Sequence, residues 1–347
     1  MYIMYFNNES DSNSFNLFVS QQFVDTLDVI NPCNISRPRD KRGYYFFDSW
    51  YSEGLGEQIS ALCQLYHAQV IICTYVMYCK ILEFVPSGIL KIIDTHDRMT
   101  DRHLFLQKNH IPDEFFSCTR EDEANYLSRA DMIWARNDSE TAYFNELTRS
   151  NKAKTVSHFN TPCYLKKETR QVRQFGFLAS DNNVNLQLCK EFITQFCKKY
   201  SQHPIPIELT IGGNVKKLLE KDPDTQALLP SFPIKLLGKI PQVQDFYELI
   251  DLCVCPVTFG TGINVKMIEA MSFGIPLLCT ECGIKGVTSP SVYHHNKDVS
   301  QVLEQLWKVY DKPVIIAELT TLSERLYDQF YKKQMESFAS CFQNATC

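Results

Sequence analysis

Residues 252–280 read LCVCPVTFGTGINVKMIEAMSFGIPLLCT and contain the pattern that decides the fold. The run from Leu252 to Phe259 is apolar and suits a buried strand, and Gly260 and Gly262 follow it. Asn264 to Ser272 then carries helix-forming residues with apolar side chains four apart, which predicts a short helix. A further glycine and a second apolar run complete the stretch. The order of strand, glycine loop, helix and strand predicts a βαβ unit with a parallel sheet.

The glycine loop before this helix favours a phosphate site. Glycine permits a close approach of the backbone to a ligand, and the first turn of a helix carries unpaired N–H groups and a partial positive charge. On the helix, Lys266 and Glu269 are three residues apart and share a face. A cation suits a diphosphate, and a carboxylate suits the hydroxyl groups of a ribose. A weak surface ion pair explains the same spacing, so the spacing alone does not separate the two interpretations.

The order and spacing of the residues in this stretch resemble the donor-site signature of retaining GT-B glycosyltransferases of the family 4 type, the glycosyl transferases group 1. The matching positions are Pro256, Phe259 to Gly262, Lys266, Glu269 to Met271, Gly274 to Pro276 and Thr280. The resemblance implies an α/β chain of the GT-B fold, with two Rossmann-like domains whose parallel sheets face a cleft. It also implies a nucleotide-sugar donor, UDP- or GDP-linked, held mainly by the C-terminal domain.

The same resemblance assigns the donor to particular residues. Glu269 is expected on the ribose, and the backbone of residues 260–262 near the sugar and the diphosphate. Many members carry a Glu at the position of Thr261, while others share the Gly-x-Gly form found here. The residues expected to bind the donor are Gly176, Lys239, Gly260, Thr261, Gly262, Ile263, Asn264, Lys266 and Glu269.

The source of positive charge at the diphosphate differs from the family's usual one. The turn after the predicted strand Phe175 to Leu178 often supplies an Arg in this family, but this chain has no Arg there. We therefore expect Lys266 to be the principal cation at the diphosphate. Lys239 follows Gly238, at a position where members of the family contact the base and the diphosphate of the donor. A solvated surface lysine explains this residue equally well.

A second polar cluster, Asp94-Thr95-His96-Asp97-Arg98, lies at the end of the predicted strand Lys91 to Asp94. Ligands of open α/β sheets bind at the carboxyl ends of the strands. Taken alone, the cluster is explained as well by Asp97 at a helix N-cap and a partly buried His96. It resembles the family's Asp-x-His-Asp segment, in which the His faces the donor sugar. The catalytic candidates are therefore His96, Asp97 and Lys266, and the cleft-wall candidates are Arg98 and Arg102.

The composition is that of an ordinary globular protein with room for two domains. The chain has 347 residues, of which 44% are hydrophobic and 22% charged, and its formal net charge is −5. This charge argues against a nucleic-acid partner, because such binding rests on Lys and Arg contacts to phosphates. No signal-peptide pattern opens the sequence, and its most apolar run, Val70 to Cys79, is too short to span a membrane. We expect a cytoplasmic protein, with peripheral membrane association as an option for the basic segments 37–42 and 164–173.

The 14 cysteines have no regular spacing and predict reduced thiols, many of them small core side chains. Cys253-x-Cys255 and Cys279-x-x-Cys282 have spacings that also occur in zinc sites. However, the first pair falls inside a predicted strand and the second begins at the end of the next one, which favours buried structural thiols. We expect no metal and no cofactor, with the nucleotide sugar acting as substrate.

Two α/β series divide the chain. We predict an N-terminal acceptor-side domain over residues 1–165 and a C-terminal nucleotide-sugar-binding domain over residues 166–347. In the family, a last helix such as the one predicted over 319–341 packs back on the N-terminal domain. The predicted strands are 1–6, 28–31, 70–74, 91–94, 132–135, 175–178, 207–211, 234–237, 252–259 and 275–279. The predicted helices include 15–27, 55–67, 120–128, one capped by Asp138 and Ser139 that runs through Leu147, and 264–272.

These observations predict a glycosyltransferase that moves a sugar from a nucleotide-sugar donor to a glycan, a lipid-linked saccharide or a protein, with retention of configuration. By the resemblance, the leaving diphosphate accepts the acceptor's proton on the same face of the sugar. Two alternatives stay open. One is a non-catalytic nucleotide-sugar-binding scaffold, motivated by Thr261 and the missing Arg, and the other is a GT-B nucleotide-sugar epimerase.

Overall fold

The computed structural model describes residues 2–6, 26–30, 37–51, 54–111, 116–167, 171–260 and 262–343, with only the backbone of 2–6 and 26–30. Two compact units divide the chain. Unit 1 comprises Met1–His103, Phe115–Trp134 and Phe144–Ala153, and unit 2 comprises Leu104–Glu114, Ala135–Tyr143 and Lys154–Cys347. The domain boundary expected between residues 165 and 166 stays a prediction. Thr261 and most of the helix predicted at 15–27 lie outside the described residues.

Two sheets form the N-terminal half of the described chain. Its strands are β1 (Tyr2–Phe6), β2 (Thr26–Ile30), β3 (Val70–Thr74), β4 (Leu90–Asp94), β5 (Met132–Ala135) and β6 (Ala153–Thr155). β1 and β2 form a parallel pair, and the other four strands form a sheet in the order β3-β4-β5-β6. Thr74 pairs with Asp94 in parallel register, so β3 and β4 end side by side. The polar residues that follow these two strands are thereby brought to one edge of the sheet.

Five parallel strands form the C-terminal sheet of the described chain. They are β7 (Gln174–Leu178), β8 (Glu208–Gly212), β9 (Ile234–Leu236), β10 (Leu252–Cys255) and β11 (Leu277–Cys279). The order β11-β10-β7-β8-β9 places the fourth strand of the series beside the first. The chain therefore reverses its direction of winding between β7 and β10, and such a point opens a crevice at the carboxyl ends of the strands.

Helices connect these strands. They are α1 (Leu55–Leu65), α2 (Arg102–Lys108), α3 (Arg120–Ser128), α4 (Asp138–Thr148), α5 (Asn183–Gln202), α6 (Lys216–Leu219), α7 (Pro223–Leu228), α8 (Val243–Leu249), α9 (Val265–Ser272), α10 (Val299–Val309) and α11 (Pro313–Ser340). Short 3-10 helices span Phe47–Trp50, Val76–Phe84, Leu229–Ser231 and Val292–His294. None of the helices in the described ranges is both long and apolar enough to cross a membrane.

The C-terminal core packs on both faces of its sheet because alternate strand residues point in opposite directions. In β10, Leu252 and Val254 join one buried cluster with α5, α10 and part of α11. Cys253 and Cys255 join the other cluster, which includes α8 and α9. Burial raises the pKa of the Cys255 thiol to about 12. The expectation that many of the cysteines are buried, reduced core side chains is confirmed for the described part of the chain.

Several predicted boundaries were wrong, each for a local reason. The strand expected over 252–259 ends at Cys255, because Pro256 has no N–H group to extend the ladder. The helix expected over 15–27 cannot include Thr26 and Leu27, which belong to β2. The last helix begins at Pro313 instead of residue 319, since proline at the first helical position loses no hydrogen bond.

The cap of α4 was also assigned to the wrong residues. The carboxamide oxygen Oδ1 of Asn137 accepts hydrogen bonds from the backbone N of Glu140 at 2.9 Å and from Oγ of Ser139 at 2.6 Å. Asn137 therefore occupies the capping position, while Asp138 is the first residue of the helix. The carboxylate of Asp138 instead accepts from Thr155 Oγ1 at 2.7 Å and pairs with Lys333 Nζ at 2.7 Å.

Candidate functional site

The point where the C-terminal sheet reverses carries the residues that sequence reasoning singled out. β7 is followed by Ala179 and Ser180, and β10 by the glycine loop that leads into α9. Lys266, in the first turn of α9, places Nζ 3.4 Å from Oγ of Ser180. This contact joins the two segments that flank the reversal. An ammonium group thus stands at the carboxyl edge of the sheet, where ligands of such folds bind.

The N-terminus of α9 differs from the expectation of unpaired amides. Asn264 caps the helix, and its Oδ1 accepts from the backbone N of Lys266 at 3.1 Å and of Met267 at 3.2 Å. Two of the donors expected to face a phosphate are therefore already engaged within the chain. The positive charge available at this helix start comes from the side chain of Lys266 and from the helix dipole.

Lys266 and Glu269 lie one turn apart on α9, and the surrounding protein removes much of the water from both. Burial lowers the pKa of Lys266, and the nearby carboxylate of Glu269 acts in the opposite direction. Burial likewise raises the pKa of Glu269, while the charge of Lys266 opposes that rise. The shared desolvation argues against a weakly coupled surface pair.

The buried ring of Tyr247 supports α9 from within the core. Its hydroxyl donates to the backbone carbonyl O of Lys266 at 3.0 Å, and its ring stacks on Phe273 with centroids 5.1 Å apart. Burial raises the pKa of Tyr247 well above its usual range, so the hydroxyl remains a donor at neutral pH. The backbone from which Lys266 extends is therefore fixed on its core side.

A second loop, residues 280–287, supports the glycine loop, and sequence reasoning missed it. Lys285 donates from Nζ to the carbonyl O of Gly260 at 2.7 Å, and the thiol of Cys282 lies 4.0 Å from the same oxygen. Gly260 has φ of 144°, a conformation that glycine adopts easily, and open space surrounds the position of a Cβ. The glycine at this position therefore serves the backbone conformation and not a tight contact.

Two glycines let the 280–287 loop lie close to the strand and the glycine loop. A Cβ on Gly286, which has φ of 91°, would come within 2.8 Å of Ile263 Cδ1. A Cβ on Gly283 would come within 2.6 Å of the carbonyl O of Cys255. The two glycines and the lysine between them, in the segment Cys282-Gly-Ile-Lys-Gly286, were the signal available in the sequence.

Two other donor candidates have clear local surroundings. Gly176 lies in β7, where a Cβ would collide with the carbonyl O of Thr210 on β8. Close packing of the two strands therefore explains this glycine, and its role in donor binding stays a prediction. Lys239 is exposed and follows Gly238, whose carbonyl accepts from the backbone N of Gly213 at 3.0 Å. Its role also stays a prediction.

His294 is fully buried. Its Nε2 lies 3.0 Å from the carbonyl O of Leu277 on β11, and its Nδ1 lies 2.7 Å from Oγ of Ser289. A carbonyl only accepts, so the proton of the neutral ring is on Nε2. Burial lowers the pKa of His294 to about 4. This histidine ties the segment after the 280–287 loop to the sheet.

Unit 1 holds the other catalytic candidates, at the carboxyl end of β4. His96 is half-buried, with Nε2 3.2 Å from Oδ2 of Asp94, and its ring stacks on Tyr75 with centroids 4.4 Å apart. Both His96 and Tyr75 have positive φ, 57° and 68°, which costs about 1 to 3 kcal/mol for each such residue. Strained residues of this kind collect at functional sites. Tyr75 was not identified from the sequence.

Asp97 and Arg102 form an ion pair after this strand, with Nη2 3.2 Å from Oδ2. Asp97 does not cap the next helix, which begins at Arg102, so the structural alternative for Asp97 was wrong in its detail. Arg98 lies between them and is half-buried. Below this segment the buried carboxylate of Glu123 accepts from the backbone N of Met99 at 2.7 Å, which holds the turn in place.

The structure therefore brings the candidates together in two groups, each within its own unit. The first group contains Gly260, Gly262, Ile263, Asn264, Lys266 and Glu269, and the second contains His96, Asp97, Arg98 and Arg102. Thr261 lies outside the described residues. The first group combines a cation, a carboxylate and a glycine loop, which suits a nucleoside diphosphate.

Residues 173–311 match the family model described as glycosyl transferases group 1. The matched residues all lie within unit 2. The match includes β7 to α10 and every donor candidate of the first group, and it confirms the family expected from residues 252–280. No curated protein sequence matches the chain.

Several solved structures share the fold of this chain. Anabaena HepE in complex with UDP and glucose gives a TM-score of 0.67 at 13% identity, over 99% of this chain and 91% of that one. A TarM structure gives 0.63 at 14% identity, over 82% of this chain and 58% of that one. The lipopolysaccharide outer core galactosyltransferase WaaB gives 0.55 at 14% identity, over 82% of this chain and 79% of that one. The chain spans less than two thirds of the TarM chain. The predicted GT-B fold, with two parallel sheets, is confirmed.

Proposed function

We propose that this chain is a glycosyltransferase that transfers a sugar from a nucleotide-sugar donor to a saccharide acceptor. The observation that carries the proposal is the contact between Lys266 and Ser180 across the reversal of the C-terminal sheet, with Glu269 one turn further on α9. A cation at the carboxyl edge can hold a diphosphate, and a carboxylate beside it can accept from both hydroxyls of a ribose.

The nucleotide in the proposed donor is UDP. The structures of HepE are complexes with UDP and glucose or with UDP-glucose, and a structure of S. aureus TarM also contains UDP. Those ligands belong to those proteins, whose identity to this chain is 15% or less, so they direct the choice of donor to test and nothing further. A saccharide acceptor is proposed on the same basis, with lipid-linked and protein acceptors as further candidates.

The proposed reaction retains the anomeric configuration. The diphosphate leaves and accepts the proton of the acceptor hydroxyl on the same face of the sugar, so no side-chain nucleophile is required. Lys266 stabilises the negative charge that develops on the departing diphosphate, which is the kind of electrostatic contribution that dominates many enzymatic rates. His96 of unit 1 is the proposed partner of the sugar, with Asp97 beside it. No metal takes part in the proposed reaction.

The test is a panel of UDP- and GDP-sugars with oligosaccharide acceptors, followed by NMR of the products. The proposal expects transfer from at least one UDP-sugar, a new linkage with the anomeric configuration of the donor, and the same rate in excess EDTA. Inverted product would refute retention, and loss of activity in EDTA that added Mg²⁺ restores would refute metal independence. Transfer from GDP-sugars alone would overturn the choice of nucleotide.

The same panel separates the two alternatives. A binding scaffold would bind UDP in calorimetry but release no UDP from any sugar nucleotide, with or without acceptor. An epimerase would change the sugar of the donor without needing an acceptor. Release of UDP that depends on the acceptor excludes both.

Association with a membrane surface stays a prediction for segment 37–42. Arg39 and Arg42 are exposed, although Arg42 pairs with Asp40 at 2.9 Å. Sedimentation with vesicles containing anionic lipid, compared with neutral vesicles and with the double variant Arg39→Ser, Arg42→Ser, checks it. Binding that does not depend on anionic lipid or on these arginines would contradict it. The expected cytoplasmic location also stays a prediction.

A further inference from the structure

Two aromatic side chains with strained backbones meet at the carboxyl edge of the unit 1 sheet. β3 ends at Thr74 and β4 at Asp94, which are partners in the ladder, and the next strained residues along each strand are Tyr75 and His96. The rings of Tyr75 and His96 stack with centroids 4.4 Å apart and planes 22° apart. The backbone N of Tyr75 donates to the carbonyl O of Asp94 at 2.8 Å, so the two strand ends are also tied together.

The strained backbone of Tyr75 lies at the turn between β3 and the 3-10 helix Val76–Phe84. Tyr75 has φ of 68° and ψ of 136°, a conformation in which glycine would be comfortable and a side chain with a Cβ is not. The residue is 37% exposed, so burial of apolar surface compensates only part of that strain. In this conformation, the ring of Tyr75 lies against the imidazole of His96.

Asp94 fixes the same imidazole from its edge. Oδ2 of Asp94 lies 3.2 Å from Nε2 of His96, and the carboxylate side chain is only 14% exposed. The negative charge of the carboxylate at this edge favours the ring tautomer that carries its proton on Nε2. The stacked ring of Tyr75 restricts the plane of the imidazole, and Asp94 favours one orientation within that plane.

We propose that Tyr75 and Asp94 are positioning residues that hold the imidazole of His96 in one plane and one tautomer for sugar transfer. The role of His96 in transfer rests on the function proposed above. The geometry of the three side chains does not rest on it. Tyr75 acts through His96 and is not assigned a contact with the substrate.

The experiment compares two variants of Tyr75 with one matched control. Tyr75→Phe keeps the ring, Tyr75→Leu removes it, and Tyr66→Leu removes another tyrosine of comparable exposure, 44%, at the end of α1. In the full chain, the ring C–H resonances of His96, assigned with the help of His96→Gln, report the stack through the ring current of residue 75. We expect a shift of several tenths of a ppm in Tyr75→Leu and a much smaller one in Tyr75→Phe and in Tyr66→Leu.

Turnover supplies the second readout. Tyr75→Leu should lower kcat at least tenfold and leave the affinity for UDP unchanged, and Tyr75→Phe should restore most of the rate. Asp94→Asn should lower kcat as well, because a carboxamide can present either a donor or an acceptor to Nε2 and no longer selects one tautomer. A fall in UDP affinity equal to the fall in kcat would overturn the positioning role.

A glycine variant separates positioning from a purely structural role. Tyr75→Ala and Tyr75→Gly both lose the ring, but only glycine relieves the strained backbone. We expect Tyr75→Gly to melt at a higher temperature than Tyr75→Ala while both lose turnover to the same extent. Recovery of turnover in proportion to stability would show that Tyr75 serves folding alone and would overturn the proposal.

The two proposals fail in different ways. If the parent protein transfers no sugar from any nucleotide, the proposed function fails, and the NMR comparison still decides whether Tyr75 orients His96. If the parent is active but the His96 resonances are the same in Tyr75→Leu as in the parent, the positioning proposal is wrong and the proposed function stands.

Discussion

Nζ of Lys285 lies 2.7 Å from the carbonyl oxygen of Gly260, and this hydrogen bond ties the 280–287 loop to the glycine loop. The two residues are far apart in the sequence but follow neighbouring parallel strands, β10 and β11. Because Gly260 has φ of 144° and open space at its Cβ position, its own packing does little to restrain it. Lys285 therefore supplies a restraint that the glycine loop lacks.

Replacing Lys285 by methionine should loosen the glycine loop and weaken UDP binding by about three- to tenfold, since an exposed charge-assisted hydrogen bond contributes about 1 kcal/mol. Lys285→Arg should recover most of the affinity, because arginine also donates to a carbonyl. Calorimetry with UDP measures the effect, and Lys297→Met, at another exposed lysine of unit 2, is the control. Equal affinities for Lys285→Met and the parent would show that the bond is incidental.

Lys266→Met keeps the aliphatic stem and removes the charge next to Ser180. We expect turnover to fall by about two orders of magnitude or more, the range seen when one stabilising donor of a transition state is lost. Uridine, which has no phosphate, should bind the variant and the parent alike. Lys235→Met, an exposed lysine of β9, is the matched control. Transfer at the parent rate by Lys266→Met would move this role to Lys239, the next residue to test.

Glu269→Ala should weaken UDP binding by about ten- to a hundredfold without unfolding the protein, because hydrogen bonds to a charged group contribute about 1.5 to 3 kcal/mol. The affinity should also fall on acidification. Since burial raises the pKa of Glu269 above 4.5, the carboxylate is lost at a pH above that usual value. Calorimetry across a pH series checks both effects, with Glu281→Ala as an exposed control. If the UDP affinity of Glu269→Ala depends on pH in the same way as that of the parent, Glu269 does not bind the nucleotide.

His96→Ala should reduce turnover far more than it reduces the affinity for free UDP, if His96 acts on the sugar and not on the nucleotide. Steady-state kinetics and calorimetry with UDP measure the two quantities on the same preparation. A melting temperature close to that of the parent is required for the comparison. Equal losses of turnover and affinity would instead assign His96 a structural role.

Acid should destabilise the protein through His294. The folded pKa of about 4 is below the usual 6.5, so the unfolded chain binds the proton first and stability falls as the pH decreases through this window. The contribution is about 2 kcal/mol between neutral pH and about pH 5. Urea unfolding at both pH values measures it. His294→Gln should be less stable than the parent at neutral pH and should lose less on acidification, whereas His295→Gln, its exposed neighbour, should keep the parent's pH dependence.

Part of the candidate donor site could be predicted from residues 252–280 because its parts are neighbours in the sequence. A strand, a glycine loop and a helix follow one another without interruption, and the spacing of three residues alone puts Lys266 and Glu269 on one face of α9. The sequence pattern did not predict the role of Asn264 as the helix cap. Its side chain engages two of the amides that the loop was expected to present, and sequence patterns do not say which donors a cap will occupy.

Local sequence patterns were enough to predict the parallel strands, the glycine loop and the family signature, since apolar runs, glycines and helix periodicity are properties of neighbouring residues. The folded chain was needed to see that Lys285 holds Gly260, that Tyr75 stacks on His96 and that His294 is buried. Each of these contacts depends on which strands pair and where they end. The order β11-β10-β7-β8-β9 and the pairing of β3 with β4 arise from packing of the whole chain, and no local pattern specifies them.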